Sequence, residues 1–111
     1  MANPWAGEVA LVLDGERHRM KLTLGALAEL EAGLESGTLL ELVRRFESGG
    51  FSTRDVLALI VAGLRGGGWQ GRAVDLLDTE IEGGPLGAAR AAAELLARAF
   101  LLPEGPGDGH R

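Results

Sequence analysis

Apolar and polar residues alternate near the start of the chain, and then the period changes. Val9, Leu11 and Leu13 occupy every second position, and after Asp14-Gly15 the same spacing returns through Met20, Leu22 and Leu24. Period two on both sides of a tight turn predicts a β-hairpin over residues 8–24. Asp-Gly suits its two-residue turn, because both central positions need positive φ, which glycine adopts freely and aspartate more readily than most residues. Between the apolar positions lie Glu16, Arg17, His18, Arg19 and Lys21. The ribbon is therefore expected to be wet on one face and to bury the other against helices.

From Gly25 onward the spacing is helical. Leu27, Leu30 and Leu34 recur at i, i+3 and i+7 with Glu29, Glu31 and Glu35 on the remaining arc, which predicts a helix over about 25–35. Thr38 and Glu41 have the spacing of a capping box and open a second helix, about 38–48, with Leu39, Leu42, Val43 and Phe46 inward. Gly49-Gly50 breaks it. Ser52 as N-cap, Asp55 in the first turn and a Phe51–Val56 staple begin a third helix, about 52–66. Its broad stripe of Val56, Leu57, Ile60, Val61 and Leu64 suits the middle of a core, and Gly66-Gly67-Gly68 ends it. Val74, Leu77 and Ile81 predict a fourth helix over about 71–82. Pro85 and the alanine-rich run predict a fifth, about 85–102, with Arg90, Glu94 and Arg98 on one face and Leu95, Leu96, Ala99 and Phe100 on the other.

The expected fold is α+β, mainly α: an N-terminal β-hairpin packed on a bundle of about five short helices, in a single domain over residues 1–102. At 111 residues with 46% hydrophobic content, the chain supports one core and not two. Residues 103–111 are proline, glycine and charge, too poor in apolar groups to offset their ordering entropy, so a flexible tail is expected there. No apolar stretch of membrane-spanning length and no secretory signal pattern occurs, which predicts a soluble, cytoplasmic protein without membrane contact.

Composition removes several kinds of chemistry. With no cysteine, disulfides, thiolate metal sites and cysteine nucleophiles are excluded. His18 and His110 lack the i+3 or i+4 histidine partner of a helical metal site. The acid pairs Glu31/Glu35 and Asp75/Asp78 sit on helix arcs that read as solvated faces, and Ser36, Ser48 and Ser52 fall at caps and turns. Gly66-Gly67-Gly68 follows a helix, whereas phosphate loops precede one. No catalytic residue, cofactor or metal is therefore predicted. A net charge of −5 repels a phosphate backbone. Arg44-Arg45-Phe46, the Gly-Gly turn and the Ser52 helix imitate a helix-turn-helix with Thr53 and Arg54 at its reading end, but Arg54 is the only cation there. Nucleic acid is thus an unfavoured partner. Trp5 and Trp69, beside a terminus and a glycine loop, are candidate anchors for a protein partner. The apolar stripe of the last helix reads equally as a core wall or as a surface offered to another helix.

Asn3-Pro4-Trp5, Gly7-Glu8-Val9, Leu13-Asp14-Gly15-Glu16 and the run Leu22 to Glu31 resemble the opening of the tail-assembly chaperone family of gene transfer agents. The similarity continues through Leu39 to Phe46, Phe51 to Val56 and Gly63 to Gly68, then more loosely to Phe100. The resemblance implies a non-enzymatic cytoplasmic factor for building the tail of phage-like particles. Such a factor holds the tape-measure protein soluble, brings the tail-tube protein to it and leaves before the particle matures. Some family members carry a tail-tube label; a tube subunit needs a larger sheet than one hairpin provides, so the chaperone is preferred, with a structural tail component or a helix-turn-helix DNA-binding protein as the alternative. Tape-measure and tail-tube proteins are the expected partners, and a multi-copy role leaves a homo-oligomer open. Trp5, Phe51, Trp69, Leu95, Leu96 and Phe100 are the candidate covering surface, chosen for their side chains and not defined by the family.

Overall fold

The computed structural model describes residues 7–34 and 37–100. Strands β1 (Glu8–Leu13) and β2 (Glu16–Lys21) form an antiparallel hairpin, followed by helices α1 (Leu24–Gly33), α2 (Leu39–Ser48), α3 (Thr53–Gly66) and α4 (Gly84–Phe100). The fold is α+β and mainly α, with four α-helices among the described residues where about five are expected.

The hairpin turns on Asp14 at φ 50° and Gly15 at φ 84°, as a two-residue turn of matching twist demands. Val9 faces Met20, and Leu11 and Leu13 complete the buried side of β1. His18 lies opposite Leu11 on this same side, half-buried, with Nε2 3.9 Å from Glu16 Oε1, and is not on the wet face. The hairpin also ends earlier than its apolar alternation suggests. Thr23 accepts a hydrogen bond from the Ala26 N–H at 3.0 Å and so caps α1, which leaves Leu24 84% exposed at the first helical position.

Between α3 and α4 the structure departs from the predicted helix over 71–82. Only a 3₁₀ turn forms, Ala73–Leu76, and the chain then runs extended beside β1. Leu13 and Ile81 form an antiparallel bridge in which the Asp14 N–H donates to the Glu80 carbonyl at 2.8 Å and the Glu82 N–H donates to the Val12 carbonyl at 3.0 Å. The Glu80 N–H donates in turn to Asp14 Oδ1 at 2.9 Å. Backbone groups that a helix would pair internally are thus taken by the sheet, and Val74 and Leu77 face solvent at 54% and 67% exposure. Asp14 serves both the turn and this docking. Asp14→Ala is expected to cost about 1–2 kcal/mol in urea unfolding, from a lost acceptor and a left-handed φ that alanine dislikes. Asp14→Asn, which keeps both features, should stay within about 0.5 kcal/mol.

Helix α3 is the central element. Leu59, Ile60 and Leu64 are fully buried, and the helix packs on β2, α1 and α4. Its glycines do more than stop it. A Cβ at Gly63 would lie 2.6 Å from Leu95 Cδ1 and 3.2 Å from Met20 Cβ. Cβ atoms at Gly66 and Gly67 would overlap the carbonyl oxygens of Lys21 and Arg19. The end of α3 therefore lies directly against the outer edge of β2, and only glycine admits that approach.

Candidate interaction surfaces

The residues proposed from sequence do not gather into one surface. Phe51, expected to staple onto Val56, stacks on Phe46 with ring centroids 4.4 Å apart and planes 7° from parallel. It sits at the N-terminal end of α3, half-buried. Trp69 follows the other end, with its N–H donating to the Leu64 carbonyl at 2.9 Å and its indole lying against Gly71. The 14 residues of α3 separate the two by about 20 Å at 1.5 Å per residue. Leu95 and Leu96 are 1% and 4% exposed, so this side of α4 is the wall of the core and is withdrawn from the candidate covering surface. Helix α4 turns its alanines Ala88, Ala91 and Ala92 inward as well, which brings its backbone close to the hairpin and α3 and leaves the leucines nowhere else to go. Phe100 is 39% exposed at the end of α4. Trp5 lies outside the described residues, as do Glu35, Ser36 and His110.

The other candidates resolve into structural roles. Glu31 Oε2 accepts the Leu39 N–H at 3.2 Å, joining the end of α1 to the start of α2. Asp75 Oδ2 accepts the Arg72 N–H at 2.8 Å, and Thr79 Oγ1 donates to the Asp75 carbonyl at 2.7 Å, so this acid shapes the 3₁₀ turn. Ser52 and Asp55 form a reciprocal capping box, with the Asp55 N–H donating to Ser52 Oγ at 3.0 Å and the Ser52 N–H donating to Asp55 Oδ2 at 2.9 Å.

Arg45 completes that cluster. Its Nε donates to Asp55 Oδ2 at 2.9 Å and its Nη2 to Asp55 Oδ1 at 3.0 Å, a bidentate pair clamping α2 to the first turn of α3. Burial alone would push the Asp55 carboxyl up. The Arg45 hydrogen bonds, the two Ser52 contacts and the arginine charge together outweigh it and hold the group below the usual carboxylate range. Helix-turn-helix recognition therefore loses Arg45 to an internal pair, and its would-be recognition helix is the buried centre of the fold.

Among the described residues there is also an apolar concavity that sequence reasoning did not single out. Leu30 of α1 and Leu57, Ala58, Val61 and Ala62 of α3 line a groove of about 250 Å³. Glu29 and Arg65, joined as an ion pair across α1 and α3, stand on its rim with Arg54. A second hollow beside the Arg45–Asp55 pair shares Gly33, Arg54 and Ala58 with it, so the depression continues along the α1–α3 seam. The signal that could have found it is the breadth of apolar residues on α3. From Val56 to Leu64 no polar side chain interrupts the helix, and an element apolar on every side has more surface to cover than its neighbours on one or two sides supply.

A family model described as phage tail tube protein, GTA-gp10, matches residues 6–101. The chain belongs to that family. The match runs from before β1 to just past α4, so the α1–α3 groove and every described surface lie within the GTA-gp10 region. This places the protein among the tail proteins of phages and gene transfer agents, a group that is not an enzyme family. No curated protein and no solved structure matches the chain.

Proposed function

We propose that this GTA-gp10 family member is a tail-assembly chaperone of a gene transfer agent or phage-like particle, acting in the cytoplasm on the tape-measure protein and the tail-tube protein. The α1–α3 groove carries the reading. A tape-measure protein is a long helix with apolar seams, and a groove floored by Leu30, Leu57 and Val61 between charged rims suits the apolar face of such a helix. Several copies along the seam would suppress its aggregation reversibly, each contributing a modest affinity. The sheet also favours this reading over a tube subunit: among the described residues it has two strands, with the outer edge of β2 closed by Gly66 and Gly67. No helix among the described residues is long and apolar enough to cross a membrane.

The test is affinity capture of the tagged chain from particle-producing cells, with co-purifying proteins identified by mass spectrometry, beside an inventory of purified particles. Tape-measure or tube protein should come down with the chain, and mature particles should lack it. Stoichiometric recovery from particles would replace the chaperone reading with a structural tail component, and recovery of DNA alone would restore the helix-turn-helix reading. Val61→Glu places a carboxylate in the half-buried groove wall and should lower tape-measure recovery about tenfold, equivalent to ~1.4 kcal/mol. Its thermal midpoint should stay within a few degrees of the parent.

A further inference from the structure

Among the described residues the hairpin has one open backbone edge. Leu13 and Glu16 flank the two-residue turn, so Leu13, Leu11 and Val9 direct their N–H and C=O groups toward β2, while Val12 and Ala10 direct theirs away from it. One end of this outward edge is already in use, since Val12 accepts from Glu82 and Asp14 donates to Glu80. Gly83 and Gly84, at φ 86° and 64°, then turn the chain away into α4. Beyond that point, among the described residues, no backbone group from another segment pairs with the N–H of Val12 or with either group of Ala10. These atoms border a groove of about 290 Å³ between β1 and α4.

The groove is lined by two arginines and two glutamates, and once the internal Glu94–Arg98 pair is set aside two cations stand against one carboxylate. Arg17, on the strand side, and Arg90, on the helix side, have no ion-pair partner among the described residues. Glu94 is engaged by Arg98 Nη2 at 3.3 Å, and Glu82 stands where the Ile81 segment ends. An occupant must therefore offer alternating backbone donors and acceptors and bring a carboxylate to two arginines. A DNA backbone has acceptors but no donor for the Ala10 carbonyl, whereas an extended polypeptide has both.

We propose that the open edge of β1 is a strand-addition site. It takes an extended segment of a partner protein, antiparallel to β1 and in line with Glu80–Glu82, with an acidic side chain placed between Arg17 and Arg90. At roughly 3.4 Å per residue, two or three residues fill the edge from Val12 back to Ala10. The site is independent of the α1–α3 groove and of the chaperone reading.

The test uses the full-length isotope-labelled chain and a capped synthetic peptide, Thr-Val-Glu-Val-Thr, followed by NMR. The peptide should shift the amide resonances of Ala10, Val12, Arg17 and Arg90 and slow hydrogen exchange at Ala10 and Val12. Replacing its glutamate by lysine should weaken binding about tenfold or more. Ala10→Pro removes an outward N–H without touching the ladder to β2, and should abolish the exchange protection. Arg90→Glu, on the exposed side of α4, tests the charge with no change in the strand and should weaken the peptide by a similar factor. Peptide binding indifferent to both variants would overturn the proposal. So would Ala10 and Val12 protection that rises with protein concentration in the absence of peptide, since a second copy would then own the edge. A DNA duplex that displaces the peptide with steep salt dependence would overturn it in favour of a polyanion site. Failure of the tape-measure capture with this binding intact would count against the chaperone reading alone.

Discussion

Gly66→Ala is expected to unfold this protein more readily, although the same change in an ordinary helix stabilises. By intrinsic propensity, alanine gains up to about 1 kcal/mol over glycine inside a helix. Here the added methyl would overlap the Lys21 carbonyl oxygen, a backbone atom of β2 with no rotamer to give way. Relieving the overlap means lifting the end of α3 off the hairpin, which opens the contact that buries Met20 and Leu64. Overpacking of this kind costs about 1–3 kcal/mol after relaxation, and a backbone partner places it at the upper end. The net expectation is a loss of about 2 kcal/mol, seen as a thermal midpoint lower by roughly 10 °C. Gly67→Ala, against the Arg19 carbonyl, should behave similarly. Gly25→Ala is the contrasting control. Nothing but Thr23 Oγ1, at 4.0 Å, approaches its Cβ position in α1, so stability should rise by about 0.5 kcal/mol. A midpoint for Gly66→Ala at or above the parent would show that the glycine run merely ends a helix.

These glycines mark the boundary of what the chain discloses before folding. Periodicity recovers the hairpin, α1, α2, α3 and α4 because each has a local signature: Asp14-Gly15 at the turn, Thr38 and Ser52 at N-caps, Gly49 in the left-handed conformation that closes α2. It fails over 71–82 because Val74, Leu77 and Ile81 keep a helical spacing while the partner that decides their conformation, the edge of β1, lies some 70 residues away in the chain. Close approach leaves no local trace either. Gly66 read as punctuation and Gly66 packed on a carbonyl are the same letter. The candidate surface was less legible than the fold for a related reason. Aromatic residues stand out in a sequence, yet Phe51 had a ring neighbour in Phe46, and Leu95 and Leu96 were needed by the core. The groove is lined by leucine, valine and alanine, whose function as floor or as core is decided only by how far α1 and α3 stand apart.

Removing the Asp55 carboxylate should give the second large effect, and its pH dependence separates electrostatics from shape. Asp55 is buried and holds two things at once, the Ser52 N–H at the start of α3 and the Arg45 guanidinium from α2. Asp55→Ala leaves Arg45 and one helix-start N–H without their acceptor, and should cost about 3 kcal/mol in urea unfolding at pH 7. Arg45→Ala should cost less, about 1–2 kcal/mol, because Asp55 retains its Ser52 bonds and the guanidinium is partly solvated. The double-mutant cycle should then show a coupling of about 1–2 kcal/mol between the two residues. Because the folded carboxyl is held below its ordinary value, its contribution is fully present above the unfolded pKa of about 3.9. It is lost as pH falls through the lower, folded value, where the native state finally takes up the proton. Asp55→Asn keeps the size of the side chain and cannot titrate. The stability gap between parent and Asp55→Asn should therefore hold steady from pH 7 to about 5 and narrow progressively below pH 4. A gap that stays constant into strong acid would mean that Asp55 acts through hydrogen-bonded shape alone and that the charge of Arg45 contributes nothing to joining α2 and α3.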